Sequence, residues 1–285
     1  MKSKIIRAAL LASALSCLPG AHAAPDSWNA PQEPFKVYGN TWYVGTHGLS
    51  SLLITSPAGH ILIDGAIPEA PRQILAHIRQ LGFDPKDVRY ILTSHEHYDH
   101  AGGLAELQRA TGAVVLGSAK SEPVLRSGMQ DEGDPQFEDK MTPVPPVANT
   151  RVVRDGEVVK VGPLALTAHY TPGHTQGGIS WTWRETEGNK TAAMVYADSL
   201  TAFTAGSFRY SGDKRYPSAR ADIEKSIATV AGFDCDVLVT PHPEASDLWA
   251  RKDKGDFVDA QACRKYADKG RAKLRETLAQ EAKGN

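Results

Sequence analysis

No cluster of Lys or Arg occurs in this chain of 285 residues, and its formal net charge is −1. Nucleic-acid binding rests on concentrated positive charge, so DNA and RNA are not expected partners. Low-complexity tracts are absent as well. Long apolar runs are scarce. The stretch from Ala8 to Leu18 is too short to span a bilayer as a lasting anchor, so no stable membrane attachment is expected. Cysteine is nearly missing, with three in the whole chain. A dense disulfide framework or a four-cysteine metal site is therefore excluded.

The apolar stretch has a different reading. Lys2, Lys4 and Arg7 precede it, and Ala21-His22-Ala23 follows as a small-x-small cleavage site. Residues 1–23 are expected to be a cleaved export signal, which places the protein in the periplasm. The leader carries three positive charges and no acids, so the mature chain 24–285 carries −4. Cys17 leaves with the leader. Cys235 and Cys263 remain, and an even count in an exported protein suggests a disulfide between them. At 41% hydrophobic, the mature length suits one large domain with a sizeable core.

What the chain does have is a hexapeptide, His95-Glu96-His97-Tyr98-Asp99-His100. It brings together three imidazoles and the carboxylate of Asp99, all zinc-ligand types. The apolar run Val88, Tyr90, Ile91, Leu92 precedes it as a buried strand, and Ala101-Gly102-Gly103-Leu104 follows as a loop entering a helix. The ligands thus sit on a turn at a strand's C-terminal edge, where α/β folds place their chemistry. His95 and His97 alternate along extended backbone and can point to one side, while Asp99 and His100 can grip a second metal. The helical zinc motif would place its histidines four apart.

A catalytic zinc takes three protein ligands and keeps one position open. The hexapeptide cannot complete two such sites. His174, in Thr171-Pro172-Gly173-His174-Thr175, follows a strand-like segment. So does His242, in Thr240-Pro241-His242-Pro243. Both share the strand-then-turn context of the hexapeptide and are the candidate missing ligands. His60, His77 and His169 read as structural, and His47 begins a turn that can reach the site rim.

Strands are expected at 35–38, 41–46, 51–55, 60–64, 113–116, 152–153, 158–161, 164–169, 179–184 and 192–196. Helices are expected at 70–81 and 219–230, with a long charged helix inside 256–282. Pro57-Ala58-Gly59 supplies a hairpin turn. Residues 122–150 read as a long, Pro-rich loop, and such loops are usually functional. Phe137 and Met141 in it can touch the apolar side of a substrate.

His-x-His-x-Asp-His, then Gly-His-Thr, then a late strand-Pro-His resembles the metallo-β-lactamase superfamily. Ala168-His169-Tyr170, Ser180-Trp181-Thr182-Trp183, Tyr196-Ala197-Asp198-Ser199-Leu200 and Thr240-Pro241-His242-Pro243 make the mature chain similar to the third subclass of class B β-lactamases. The resemblance implies an αββα sandwich, two sheets flanked by helices with the site at one sheet edge. It implies two zinc ions per chain, the first on His95, His97 and His174, the second on Asp99, His100 and His242. It implies a β-lactam substrate, opened by a metal-bridging hydroxide that Asp99 helps orient, in a protein expected to be monomeric. Many superfamily hydrolases carry a bridging Asp near Ala197-Asp198-Ser199. In the favoured subclass Ser stands there, so Ser199 is set at the ligand-equivalent position, with Ser199 and Thr201 available to a substrate carboxylate. No Ser-x-x-Lys arrangement is placed as in serine β-lactamases. The role of Phe203–Tyr210 stays open. A periplasmic lactonase or other acyl-ester hydrolase is the near alternative, and a non-catalytic zinc binder the more distant one.

Overall fold

A computed structural model describes residues 25–138 and 142–284. The expected leader, and Met141 as a substrate contact, lie outside the described residues.

The first half builds one sheet. Strands β1 (Phe35–Tyr38), β2 (Thr41–Tyr43), β3 (Leu52–Ile54) and β4 (His60–Ile63) form an antiparallel meander. Helix α1 (Pro71–Gln80) then crosses to β5 (Val88–Leu92), parallel to β4. The short α2 (Tyr98–Ala101) and α3 (Leu104–Thr111) lead to β6 (Val114–Gly117), and α4 (Ser121–Ser127) precedes β7 (Thr150–Val152). These seven strands lie in chain order. Proline at the first position of α1 costs no hydrogen bond there. Gly112 at +83° closes α3 in the left-handed conformation that glycine adopts freely.

The second half builds another sheet. Strands β8 (Val158–Val161), β9 (Leu164–Tyr170), β10 (Ile179–Glu187) and β11 (Lys190–Tyr196) are antiparallel neighbours. After α5 (Ala219–Ala231), β12 (Val237–Val239) adds parallel to β11. Helices α6 (Leu248–Lys254) and α7 (Ala262–Lys283) finish the described chain.

Side-chain alternation decides the layers. Leu52, Ile54, Ile61 and Ile63 face inward and meet Leu166, Trp181, Met194, Tyr196, Val237 and Val239 of the other sheet. Leu53 and Leu62, at the intervening positions, pack outward against Ile74 and Ile78 of α1 and Leu104 and Leu107 of α3. Val195 and Leu238 likewise turn outward against Ile223 and Ile227 of α5 and Leu274 of α7. A period of two therefore feeds three separate cores, which is the αββα sandwich.

The disulfide between Cys235 and Cys263 is formed, with Cα atoms 6.2 Å apart. It ties the start of β12 to the start of α7. The expectation of one uninterrupted loop over 122–150 is corrected. α4 opens that stretch, because Pro123 falls in its first turn, where no backbone donor is lost, and Val124 and Leu125 find a core. The strand expected at 152–153 runs over Thr150–Val152 instead, and β2 stops at Tyr43.

Candidate metal centre

Every ligand-type residue of the hexapeptide lies beyond the C-terminal end of β5. The turn is pinned from below. Ser94 donates to Asp64 through its backbone N–H and its hydroxyl, each at 2.7 Å, and Tyr196 Oη donates to the same carboxylate at 2.8 Å. His97 ends the extended stretch, and Asp99 and His100 lie in the short α2. His174 lies in the turn between β9 and β10, and His242 follows β12. β5, parallel to β4 in one sheet, and β12, parallel to β11 in the other, end at the same edge, so tertiary packing gathers residues 147 positions apart.

His95, His97 and His174 form one cluster, with ring centroids 4.9 Å apart in each pair. Each ring has one nitrogen engaged on its far side. Nδ1 of His95 meets Oδ1 of Asp198 at 2.8 Å, Nε2 of His97 meets Oδ2 of Asp134 at 2.9 Å, and Nδ1 of His174 donates to the Thr201 carbonyl at 2.8 Å. The remaining nitrogens are Nε2 of His95, Nδ1 of His97 and Nε2 of His174. Outer partners of this kind fix tautomer and orientation around metal sites. Nε2 of His95 is buried without a hydrogen-bond partner, as expected of an atom shaped for a cation.

A second cluster adjoins the first. Asp99 Oδ2 lies 3.1 Å from Nε2 of both His100 and His242, and those two nitrogens are 3.3 Å apart. Asp99 and His100 also lie close to His95. The donor set of imidazoles and one carboxylate suits zinc, three protein ligands at a time.

The electrostatics follow from burial. Loss of water, then the neighbouring imidazoles, hold His95 well below its ordinary range. Burial and then His97 bring His174 down to about 3. Neutral imidazole is the form that binds metal. Burial also lowers His97, but the Asp134 carboxylate outweighs it and holds the ring at about 9. Burial would raise Asp99, and the His100 and His242 rings more than offset this, keeping it well below the usual carboxylate range. Burial, then Asp134, lifts Glu96 to about 7, and its Oε2 has no partner. Burial pushes the Asp198 carboxyl well above its ordinary value, a cost that a cation beyond His95 would offset.

A cleft of about 400 Å³ opens over both clusters. Ser199 and Thr201 line it, while Asp198 lies beneath His95. Phe137 does not line the cleft. Its backbone closes the turn that carries Asp134, and Phe203, 51% exposed, stands on the wall instead. His47 stacks on Trp249 and does not line the cleft. A larger cleft of about 650 Å³ lies at the opposite strand ends, among Trp42, His60, Phe83, Trp183 and Glu185, and includes no residue of either cluster.

Several residues of the site carry no signal in the sequence. Gln136 Nε2 comes within 3.3 Å of His174 Nε2 and 3.5 Å of His97 Nδ1. Trp28 comes from the N-terminal turn and tilts over His242 at 5.9 Å. Asp134 and Gln136 belong to the Pro-rich stretch, whose length marked it as functional but whose pattern singled out no residue.

Comparison with known proteins supplies independent findings. The family model for the metallo-β-lactamase superfamily matches residues 44–188. MEM-A1, a subclass B3 metallo-β-lactamase isolated from a soil metagenome library, is 61% identical, with 90% of this chain and 100% of that one covered at a TM-score of 0.88. MIM-1 from Novosphingobium pentaromativorans is 45% identical, covering 92% and 95% at 0.86. Among curated proteins, a hydroxyacylglutathione hydrolase of Methylobacterium nodulans is 36% identical over 140 residues, 49% of this chain. The chain spans only 42% of that relative's length. With half its length matched by the family model and solved relatives superposing across nine-tenths of it, the chain belongs to the metallo-β-lactamase superfamily.

Proposed function

We propose that this protein hydrolyses the amide bond of β-lactam antibiotics in a zinc-dependent reaction, and so confers resistance to them. The observation that carries the reading is the pair of adjoining three-residue clusters at one sheet edge, in a chain similar along its length to subclass B3 enzymes. His95, His97 and His174 would hold one zinc, and Asp99, His100 and His242 a second. Such a pair supplies a nucleophilic hydroxide at neutral pH and polarises the carbonyl under attack.

The protein's own groups do the rest. Asp198, Asp134 and the Thr201 carbonyl orient the first three imidazoles. Asp99 aims its carboxylate between the two clusters. Ser199 and Thr201 face the cleft with hydroxyls that can donate to a substrate carboxylate. Trp28 and Phe203 bound the cleft with apolar surface that excludes water. We place the enzyme in the periplasm as a monomer, exported by residues 1–23. Cell fractionation checks this placement, and light scattering the monomer.

Thioester hydrolysis is the rival, since a hydroxyacylglutathione hydrolase is 36% identical over 49% of this chain. The resemblance associates a bridging Asp with such enzymes; Asp198 sets its Oδ1 against Nδ1 of His95 beneath the cleft while Ser199 lines it, which favours the β-lactam reading. The deciding experiment is hydrolysis of a penicillin, a cephalosporin and a carbapenem by the purified protein, with zinc and with a chelator. Zinc-dependent ring opening is expected. Turnover of a lactone or a glutathione thioester with all three β-lactams intact would replace the proposal.

A further inference from the structure

The segment Phe203–Tyr210 has no motif of its own, yet it meets the His174 turn at both ends. Just before it, the Thr201 carbonyl accepts from Nδ1 of His174 at 2.8 Å. At its end, Tyr210 Oη donates to the Gly173 carbonyl, next to His174, at 2.7 Å. Tyr210 is 2% exposed and cannot turn to water. Gly173 holds φ at +131°, which glycine adopts without strain, and a Cβ there would lie 2.6 Å from Ile223, so the turn packs directly on α5.

The same segment is held from the other side by one face of α7. Thr277 Oγ1 donates to the Ala202 carbonyl at 2.7 Å. One helical turn later, the Glu281 carboxylate accepts from the backbone N–H groups of Tyr210 and Ser211, at 2.7 and 2.8 Å. Both side chains are buried. The disulfide staples the opposite end of α7 to the second sheet.

We infer that Thr277 and Glu281 on α7, acting through the 202–210 segment and the Tyr210 hydroxyl, are positioning residues that set the direction in which His174 presents Nε2. The inference rests on the reading of His174 as a zinc ligand. None of the three touches the cleft. Their effect is on metal affinity and ligand geometry. Outer partners of metal ligands are typically worth ten- to a hundredfold in affinity, and a partner one step further out belongs at the lower end of that range.

The test compares Tyr210→Phe, Thr277→Val, Thr277→Ser and Glu281→Gln, with Glu276→Ala on the exposed face of α7 as control. Zinc affinity is measured by competition with a chromophoric chelator, and the absorption bands of the cobalt-substituted proteins report ligand geometry. Tyr210→Phe and Thr277→Val are expected to lower affinity about tenfold and to shift the cobalt bands. Thr277→Ser, which keeps the hydroxyl, should restore both, and Glu281→Gln, with one acceptor left, should fall between. Variants that melt earlier but keep wild-type affinity and spectrum would reduce the arrangement to plain packing and overturn the inference. Neither readout involves a substrate. A wild-type protein that binds zinc but opens no β-lactam ends the functional proposal and leaves this comparison intact.

Discussion

Oδ1 of Asp198 lies 2.8 Å from Nδ1 of His95, and both side chains are completely buried. A carboxylate there accepts the Nδ1 proton and leaves Nε2 as a lone pair facing the cluster. The adjacent Ser199 turns to the cleft instead. The two neighbours thus face different ways, one beneath the imidazole cluster and one into the cleft.

Asp198→Ala is expected to lower zinc affinity ten- to a hundredfold, in line with other carboxylates behind metal-bound imidazoles. Asp198→Asn keeps an acceptor oxygen and should lose less. Chelator competition measures both. Equal affinity in all three proteins would show that the cluster orients His95 without its help.

His97→Ala is expected to abolish hydrolysis. It also strands the Asp134 carboxylate, which is 2% exposed and paired with His97 at 2.9 Å. Leaving such a charge without its partner costs about 3 kcal/mol. Urea unfolding of the metal-free proteins reads the stability loss, and turnover with added zinc reads the chemistry. Near-normal turnover would contradict the ligand assignment.

Replacing Cys235 and Cys263 together by alanine opens a loop spanning 28 residues. The chain-entropy model gives a loss of about 3–4 kcal/mol. Denaturant midpoints of the variant and of the oxidised wild type, both zinc-loaded, test the figure. A loss near zero would mean that the unfolded chain gains little freedom when the link is cut.

Glu185 is 5% exposed, and burial raises its carboxyl above the ordinary range, against hydrogen bonds from the Asn40 N–H and Thr41 Oγ1. A carboxyl raised on folding binds its proton more tightly in the folded state. Its contribution is greatest below the unfolded value of about 4.3 and declines as pH climbs through the folded one. The stability of the wild type relative to Glu185→Gln should therefore fall between pH 4 and pH 7. A difference that is flat or rises over that interval would show that the hydrogen bonds outweigh burial.

A cluster able to hold a metal was legible because the hexapeptide places four ligand-type residues side by side, and a strand before a Gly- or Pro-bounded turn singles out His174 and His242, which the fold brings beside it. The strands were legible, since consecutive apolar residues such as Leu52, Leu53 and Ile54 mark a strand buried on both faces, but their arrangement as a sandwich came from the family resemblance and not from periodicity. Local pattern could not reach Asp134, Gln136, Trp28 or Phe203. None belongs to a recognisable motif, and the place of each in the site comes from contacts with chain far away. The choice between Asp198 and Ser199 was of the same kind, because both lie just past the end of β11, where packing alone sets which side chain turns to the cleft. By itself the sequence determined which atoms are available to bind a metal, for that depends on residue type and short-range backbone geometry. Only the tertiary structure decided which carboxylate stands behind which imidazole and which helix holds the loop that aims His174. Those relations exist only once two sheets have packed and brought residues a hundred positions apart to within 3 Å.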